Sequence, residues 1–126
     1  MSPELEKKLV EKYPLIFREY GQPPEKSCMA WGMAHDDGWF DLIDKLCADI
    51  MKMEGADNFS ATQVKEKFGG LRFYFNGATD EMWKRVTRAE EESYTVCEVC
   101  GSKEEVTTAG PRWIRTLCKK CRNKSQ

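Results

Sequence analysis

The sequence predicts an α+β fold, in which three or so helices surround a small antiparallel β-hairpin or sheet and a cysteine-rich module follows. Three observations lead there. Apolar residues recur at helical spacing behind capping residues in three stretches. An alternating segment folds back across paired glycines. Four of the six cysteines stand as two Cys-x-x-Cys pairs within residues 97–121. At 126 residues, 40% hydrophobic and 33% charged, the chain suits one domain with a small appendage. The expected division is an α+β body over residues 1–94 and a four-cysteine finger over 95–126.

The first helix opens with Ser2 as N-cap, Pro3 at the first helical position and Glu4 in the first turn, and spaces Leu5, Leu9 and Tyr13 four apart. Pro14 interrupts it. A further turn or two through "PLIFREYG" ends at Gly21 and the Pro23-Pro24 break, and a loop through "EKSCMAWGMAH" follows. From Asp37 to about Met53, Phe40, Ile43, Cys47, Ile50 and Met51 form an apolar stripe with Trp39, Leu46 and Met53 beside it, and Gly55 ends the helix.

"QVKEKFGGLRFYF" reads two ways. Ser60 and Gln63 resemble a capping box, but a hairpin across Gly69-Gly70 sorts the residues better. It places Val64, Glu66, Phe68, Leu71, Phe73 and Phe75 on one face and Lys65, Lys67, Arg72 and Tyr74 on the other; a neighbouring cation would make Glu66, alone among apolar side chains, an ordinary buried pair. The third helix is capped by Thr79 or Asp80. It carries Met82, Val86, Ala89 and Ser93 on one stripe and pairs Asp80 with Lys84, Glu81 with Arg85 and Arg88 with Glu92.

No apolar run approaches the roughly 20 residues that cross a bilayer, and "MSPELEKKLVEKY" lacks the apolar core of a signal peptide. The expectation is a cytoplasmic protein without membrane contact. In that reducing compartment closely spaced cysteines favour metal or redox chemistry over disulfides. Two Cys-x-x-Cys pairs separated by 17 residues place two thiolates each on one tetrahedral ion, so Cys97, Cys100, Cys118 and Cys121 are the expected ligands of one structural Zn²⁺ per chain. A redox motif needs only one pair, within a βαβ pattern that is not visible. Gly101 suits a knuckle, Gly110-Pro111 a hairpin bend, and "CKKCRNK" a helix start, which together describe a treble-clef-like zinc finger. Cys47, on a helix stripe, and Cys28, in a loop, are expected as free thiols.

Residues 97–126 carry seven Lys or Arg against three Glu, whereas residues 1–96 carry 13 against 18. From Gly110 onward, Arg112, Arg115, Lys119, Lys120, Arg122 and Lys124 meet no acidic residue. Such a surface suits phosphates or an acidic protein face, helped by Lys65, Lys67 and Arg72 on the hairpin. Trp39 and Trp83 lie by helical stripes and are expected in the core. Trp31 and Trp113 are the expected surface anchors.

An enzyme reading rests on "WGMAHDDGWFDLID", where the sole histidine, His35, adjoins Asp36 and Asp37, with Asp41 and Asp44 following. Those groups suit a Mg²⁺ ion for nuclease chemistry, with Glu66 and Lys65 or Lys67 approaching from the hairpin. The plainer reading makes Asp36 or Asp37 a helix cap and pairs Asp41 with Lys45. No catalytic residue is assigned.

The stretch "YTVCEVCG…LCKKC", with a helix leading in, resembles the zinc finger of the DksA/TraR family over about a quarter of the chain. That resemblance implies a partner such as RNA polymerase. Over almost the whole chain, "EKYPLIF", "CMAWGMAHDDGWFDLIDKLC", "QVKEKFGGLRFYF" and "CEVCG…RWIRTLC" resemble a set of small proteins of phage and prophage genomes. This implies a mobile-element accessory protein. The expectation is therefore a non-enzymatic, zinc-binding phage or prophage protein. It would bind a host macromolecule, either a protein such as RNA polymerase or a defence nuclease, or nucleic acid, and take no small-molecule substrate.

Overall fold

A computed structural model describes residues 1–124; the last two residues of the expected finger lie outside them. Helix α1 (Pro3–Lys12) begins where expected, with the Ser2 hydroxyl accepting from the Leu5 N–H and Pro3 at its start. Leu9 and Tyr13 are buried. The Tyr13 hydroxyl donates to Asp44 Oδ1 at 2.6 Å, which fastens α1 to helix α2 (Phe40–Met51). Helix α2 buries Leu42, Ile43, Leu46, Cys47 and Ile50, and Gly55 leaves it in the left-handed region at φ 86°.

The predicted hairpin forms as strands β2 (Ser60–Lys67) and β3 (Gly70–Asn76). The capping-box alternative for residues 60–68 is thereby overturned. The turn sits one residue earlier than expected: Lys67 pairs with Gly70, and Phe68 and Gly69 occupy the turn at φ 53° and 85°. Both central residues at positive φ make a type I′ turn, whose twist matches the flanking strands. Phe68 therefore leaves the apolar face and stands 66% exposed, while Val64, Leu71 and Phe73 stay buried on it. Among the described residues Glu66 makes no ion pair. Its carboxylate accepts from the Gly69 N–H at 2.7 Å and closes the turn.

A strand that periodicity did not show, β1 (Met33–Ala34), lies parallel to β2 with Met33 opposite Val64, giving the order β1-β2-β3. Helix α3 (Asp80–Glu92), capped by Thr79, covers β3 and buries Met82, Val86 and Ala89. Its Glu90 and its C-cap Ser93 also take two N–H groups of β3: Ser93 Oγ accepts from Leu71 and the Glu90 carboxylate from Phe73, both at 2.9 Å. At the other edge, the Met33 N–H donates to Glu6 and its carbonyl accepts from the Met1 ammonium.

Three expectations for α3 are corrected, the first being the Asp80–Lys84 pair, which does not form among the described residues. Trp83 lies outside the core, 58% exposed and edge-on to Phe75 with ring centroids 4.7 Å apart. Arg85 turns inward, 8% exposed, and pairs with Asp49 of α2 at 2.8 Å instead of Glu81. The Arg88–Glu92 pair forms, at 3.5 Å. Trp39 is fully buried and donates its indole N–H to the Val96 carbonyl, so the core reaches the base of the cysteine module.

Candidate metal centre

The chain enters the module through Val96, and the first cysteine pair forms a tight knuckle. The Cys97 carbonyl accepts from Gly101 at 2.9 Å and the Cys97 N–H donates to Ser102 at 2.8 Å. Gly101 lies at φ 81°, where a side chain would be strained. Strands β4 (Thr107–Ala109) and β5 (Arg115–Leu117) form the hairpin, and helix α4 (Lys119–Lys124) starts directly after Cys118. Knuckle, hairpin and helix thus follow the expected treble-clef order.

The Sγ atoms of Cys97, Cys100, Cys118 and Cys121 all lie within 4.8 Å of one another. Those of Cys100 and Cys118 are 3.7 Å apart. A disulfide needs about 2.05 Å. Four sulfurs at about 2.3 Å around a tetrahedral ion stand about 3.8 Å apart. The donor set therefore fits a soft, four-coordinate ion such as Zn²⁺. The site is layered: Cys97 and Cys118 are buried, Cys121 half-buried and Cys100 exposed, with Leu117 and Val106 packed behind.

Electrostatics favour the thiolate first at Cys97. Burial opposes ionisation, but contacts from the backbone at Cys118, Cys100 and Val99 outweigh it and bring the thiol down to about 7. Cys121 goes the other way, up to about 12, through burial and the neighbouring sulfurs. Four thiols this close cannot all ionise alone, whereas a divalent ion removes the repulsion. At the start of α4 the Cys121 N–H points to Cys118 Sγ at 3.5 Å, the amide contribution expected of a helix start.

The finger is fastened to the body at two points. At the first, the Gly38 N–H donates to the Glu98 carbonyl at 2.7 Å, the Asp36 N–H donates to the Glu98 carboxylate at 3.0 Å, and Arg115 pairs with Asp36 at 2.7 Å. At the second, the Thr116 hydroxyl donates to the Gly69 carbonyl in the β2–β3 turn at 2.5 Å, and Gly69 packs against Thr108 and Ile114. Glu98, inside the first cysteine pair and only 5% exposed, is a positioning residue that motif reading passed over.

The expected basic face divides. Trp113, Arg115 and Arg122 line one cleft of about 530 Å³ with Pro111 and Leu117. Lys119 and Lys120 line another, beside Cys100 and Cys118, where Glu104 and Glu105 face them. Arg122 is held by Thr107 Oγ1 at 2.8 Å and by the Leu117 carbonyl, while Arg112 makes no ion pair among the described residues. Lys124 is exposed near the end of α4. Trp113 and Trp31 are the surface tryptophans expected, 81% and 71% exposed, with Trp31 on a single 3₁₀ turn at Cys28–Trp31.

The residues of the nuclease reading do not converge. His35 is 6% exposed, with Nδ1 on the Asp36 carbonyl at 2.8 Å and its ring against Trp39. Asp37 accepts from the Ser2 N–H at 2.7 Å, and Asp44 is taken by Lys12 and Tyr13. Lys65 lies over the Tyr74 ring and Lys67 over the Phe68 ring. Among the described residues, the four cysteines are the only group of three or more side chains of metal-ligating type gathered closely enough for one ion. No helix among the described residues is long and apolar enough to cross a membrane.

Comparison with family models, with curated proteins and with solved structures returns no match to this chain.

Proposed function

We propose that this chain is a non-enzymatic, zinc-stapled binding protein of phage or prophage type, acting on a host macromolecule in the cytoplasm. The observation that carries the reading is the four-thiol cluster fastened to the body by hydrogen bonds at Gly38 and Gly69. Bound there, Zn²⁺ would supply the cross-link that some 30 residues with a small apolar centre lack. The chain's own residues do the recognising: Trp113 and Arg112 at the outer end of the finger are not consumed by its folding, and exposed Trp and Arg side chains are common anchors of interfaces.

Metal analysis of the purified protein tests the staple, with one zinc per chain expected and Cys118→Ser or Cys121→Ser losing it. Capture from host lysate then compares a Trp113→Ala, Arg112→Glu variant with Trp31→Ala. Loss of the captured partner only in the first supports the finger as the working surface. Loss only in the second transfers that role to the Trp31 turn.

A further inference from the structure

The seam between helices α2 and α3 holds a buried cation that its neighbours satisfy only in part. Arg85 is 8% exposed, so its guanidinium is almost entirely withdrawn from water. A guanidinium carries five N–H donors in a rigid fork. Among the described residues Arg85 makes one hydrogen bond, from Nε to Asp49 Oδ2 at 2.8 Å, and its Nη1 is buried with no partner. Buried donors are as a rule satisfied, so one that is not marks a place where a further acceptor belongs.

The same side chain lines an open cleft of about 440 Å³. Glu81, Lys84, Arg85 and Arg88 share it because positions i, i+3, i+4 and i+7 lie on one face of α3, and Asp49 and Lys52 reach it from the end of α2. Four cations thus face two carboxylates. Asp49 is engaged by Arg85, and Glu81 lies in the first turn of α3, where the helix amides favour a negative charge. Lys52 and Lys84 make no ion pair among the described residues, and Arg88 meets Glu92 at 3.5 Å while staying largely exposed.

We propose that this cleft is an anion site for a phosphate group, free or as a monoester, with Arg85 as its buried donor and Lys52 and Lys84 closing over it. The excess of two positive charges in the lining matches the charge of about −2 that such a group carries near neutral pH. Three terminal oxygens serve a guanidinium and two mobile ammonium groups at once. A carboxylate brings only one charge and leaves the excess standing. A lone water would satisfy Nη1 without using either lysine. No residue of the finger lines the cleft, so the site stands or falls independently of the finger-face reading.

The test follows the Arg85 Nε–Hε signal by ¹H–¹⁵N NMR in the full zinc-loaded chain, titrated with inorganic phosphate, phenyl phosphate and acetate at constant ionic strength. Expected is a saturable shift with both phosphates and a weaker response to acetate. Tighter binding of phenyl phosphate assigns a monoester on a larger body, and equal affinity assigns free phosphate. Lys52→Gln and Lys84→Gln, both at exposed positions, should each weaken binding by about two- to fivefold. Lys7→Gln, on α1, should bind as the parent does. Arg85→Gln should abolish the site, but it also strips Asp49 of its partner, so the two lysine variants carry the test. Circular dichroism establishes that each variant is folded. A shift that grows linearly with phosphate, or one that acetate reproduces equally, overturns the proposal, as does parent-like affinity in both lysine variants. The orphan nitrogen is then met by water alone.

Discussion

The backbone of Gly38 lies directly against that of Cys97: a Cβ at position 38 would stand 2.1 Å from the Cys97 carbonyl oxygen and 2.5 Å from that of Glu98. Neither obstacle is a flexible side chain, so the knuckle itself must retreat. Gly38→Ala should therefore cost about 1–3 kcal/mol or more and loosen the finger ahead of the body. Chemical denaturation, with hydrogen exchange of residues 97–124, checks this. Parent-like exchange in the knuckle would contradict it.

Thiol chemistry should separate the six cysteines into three classes. Cys28 is exposed and reacts at once in the zinc-loaded protein. The four clustered cysteines react after a chelator removes the ion. Cys47 is completely buried, and burial pushes its thiol far up, so it reacts only on global unfolding. Time-resolved alkylation with mass spectrometry reads the order, and early labelling of Cys97 or Cys118 without chelator would count against a metal-filled site.

Acid should weaken the protein through His35. Burial takes its pKa from 6.5 down to about 4, against the pull of the Asp36 carbonyl. Above about 6.5 the imidazole is neutral folded or unfolded, and its contribution is complete. Between about 6.5 and 4 the unfolded chain binds the proton and the native one resists, so stability falls as pH falls, by about 3 kcal/mol in all. The cysteine site also sheds metal in acid, equally in a His35→Phe variant. The difference between the two proteins across pH 7 to 4 thus isolates the histidine, and identical pH profiles would remove it from the account.

Phe68 occupies a backbone conformation that suits Asn or Gly, at φ 53°. Phe68→Asn should raise stability by about 0.5–1 kcal/mol, read by thermal or chemical denaturation. A variant no more stable than the parent would show that the turn stores no strain at Phe68.

Legibility in the sequence followed the range of the interaction. Caps such as Ser2 and Thr79, the stripe through Ile43, Cys47 and Ile50, and the cysteine spacing are local, and each foretold its element. The turn slipped by a residue because Phe68, unlike Gly69, carries no sign of positive φ. Trp83 was misplaced because it neighbours an apolar stripe without lying on it. Arg85 reached past its helical neighbour to Asp49, and Arg115 crossed 79 positions to Asp36. The two-residue β1 is too short to carry a period. Long-range pairs of this kind leave no spacing to read, so the seam between finger and body was invisible.

The sheet's spare donors have a consequence for how any partner is met. Leu71 and Phe73 already donate to Ser93 and Glu90, and Met33 to Glu6, so three backbone donors along the margins of the three-stranded sheet are taken by side chains. A guest chain lying alongside as an extra strand would first have to displace those side chains. The same side chains stand in the way of two copies meeting edge to edge. A contact made at either margin is therefore gated by Ser93, Glu90 and Glu6, and can be retuned one residue at a time.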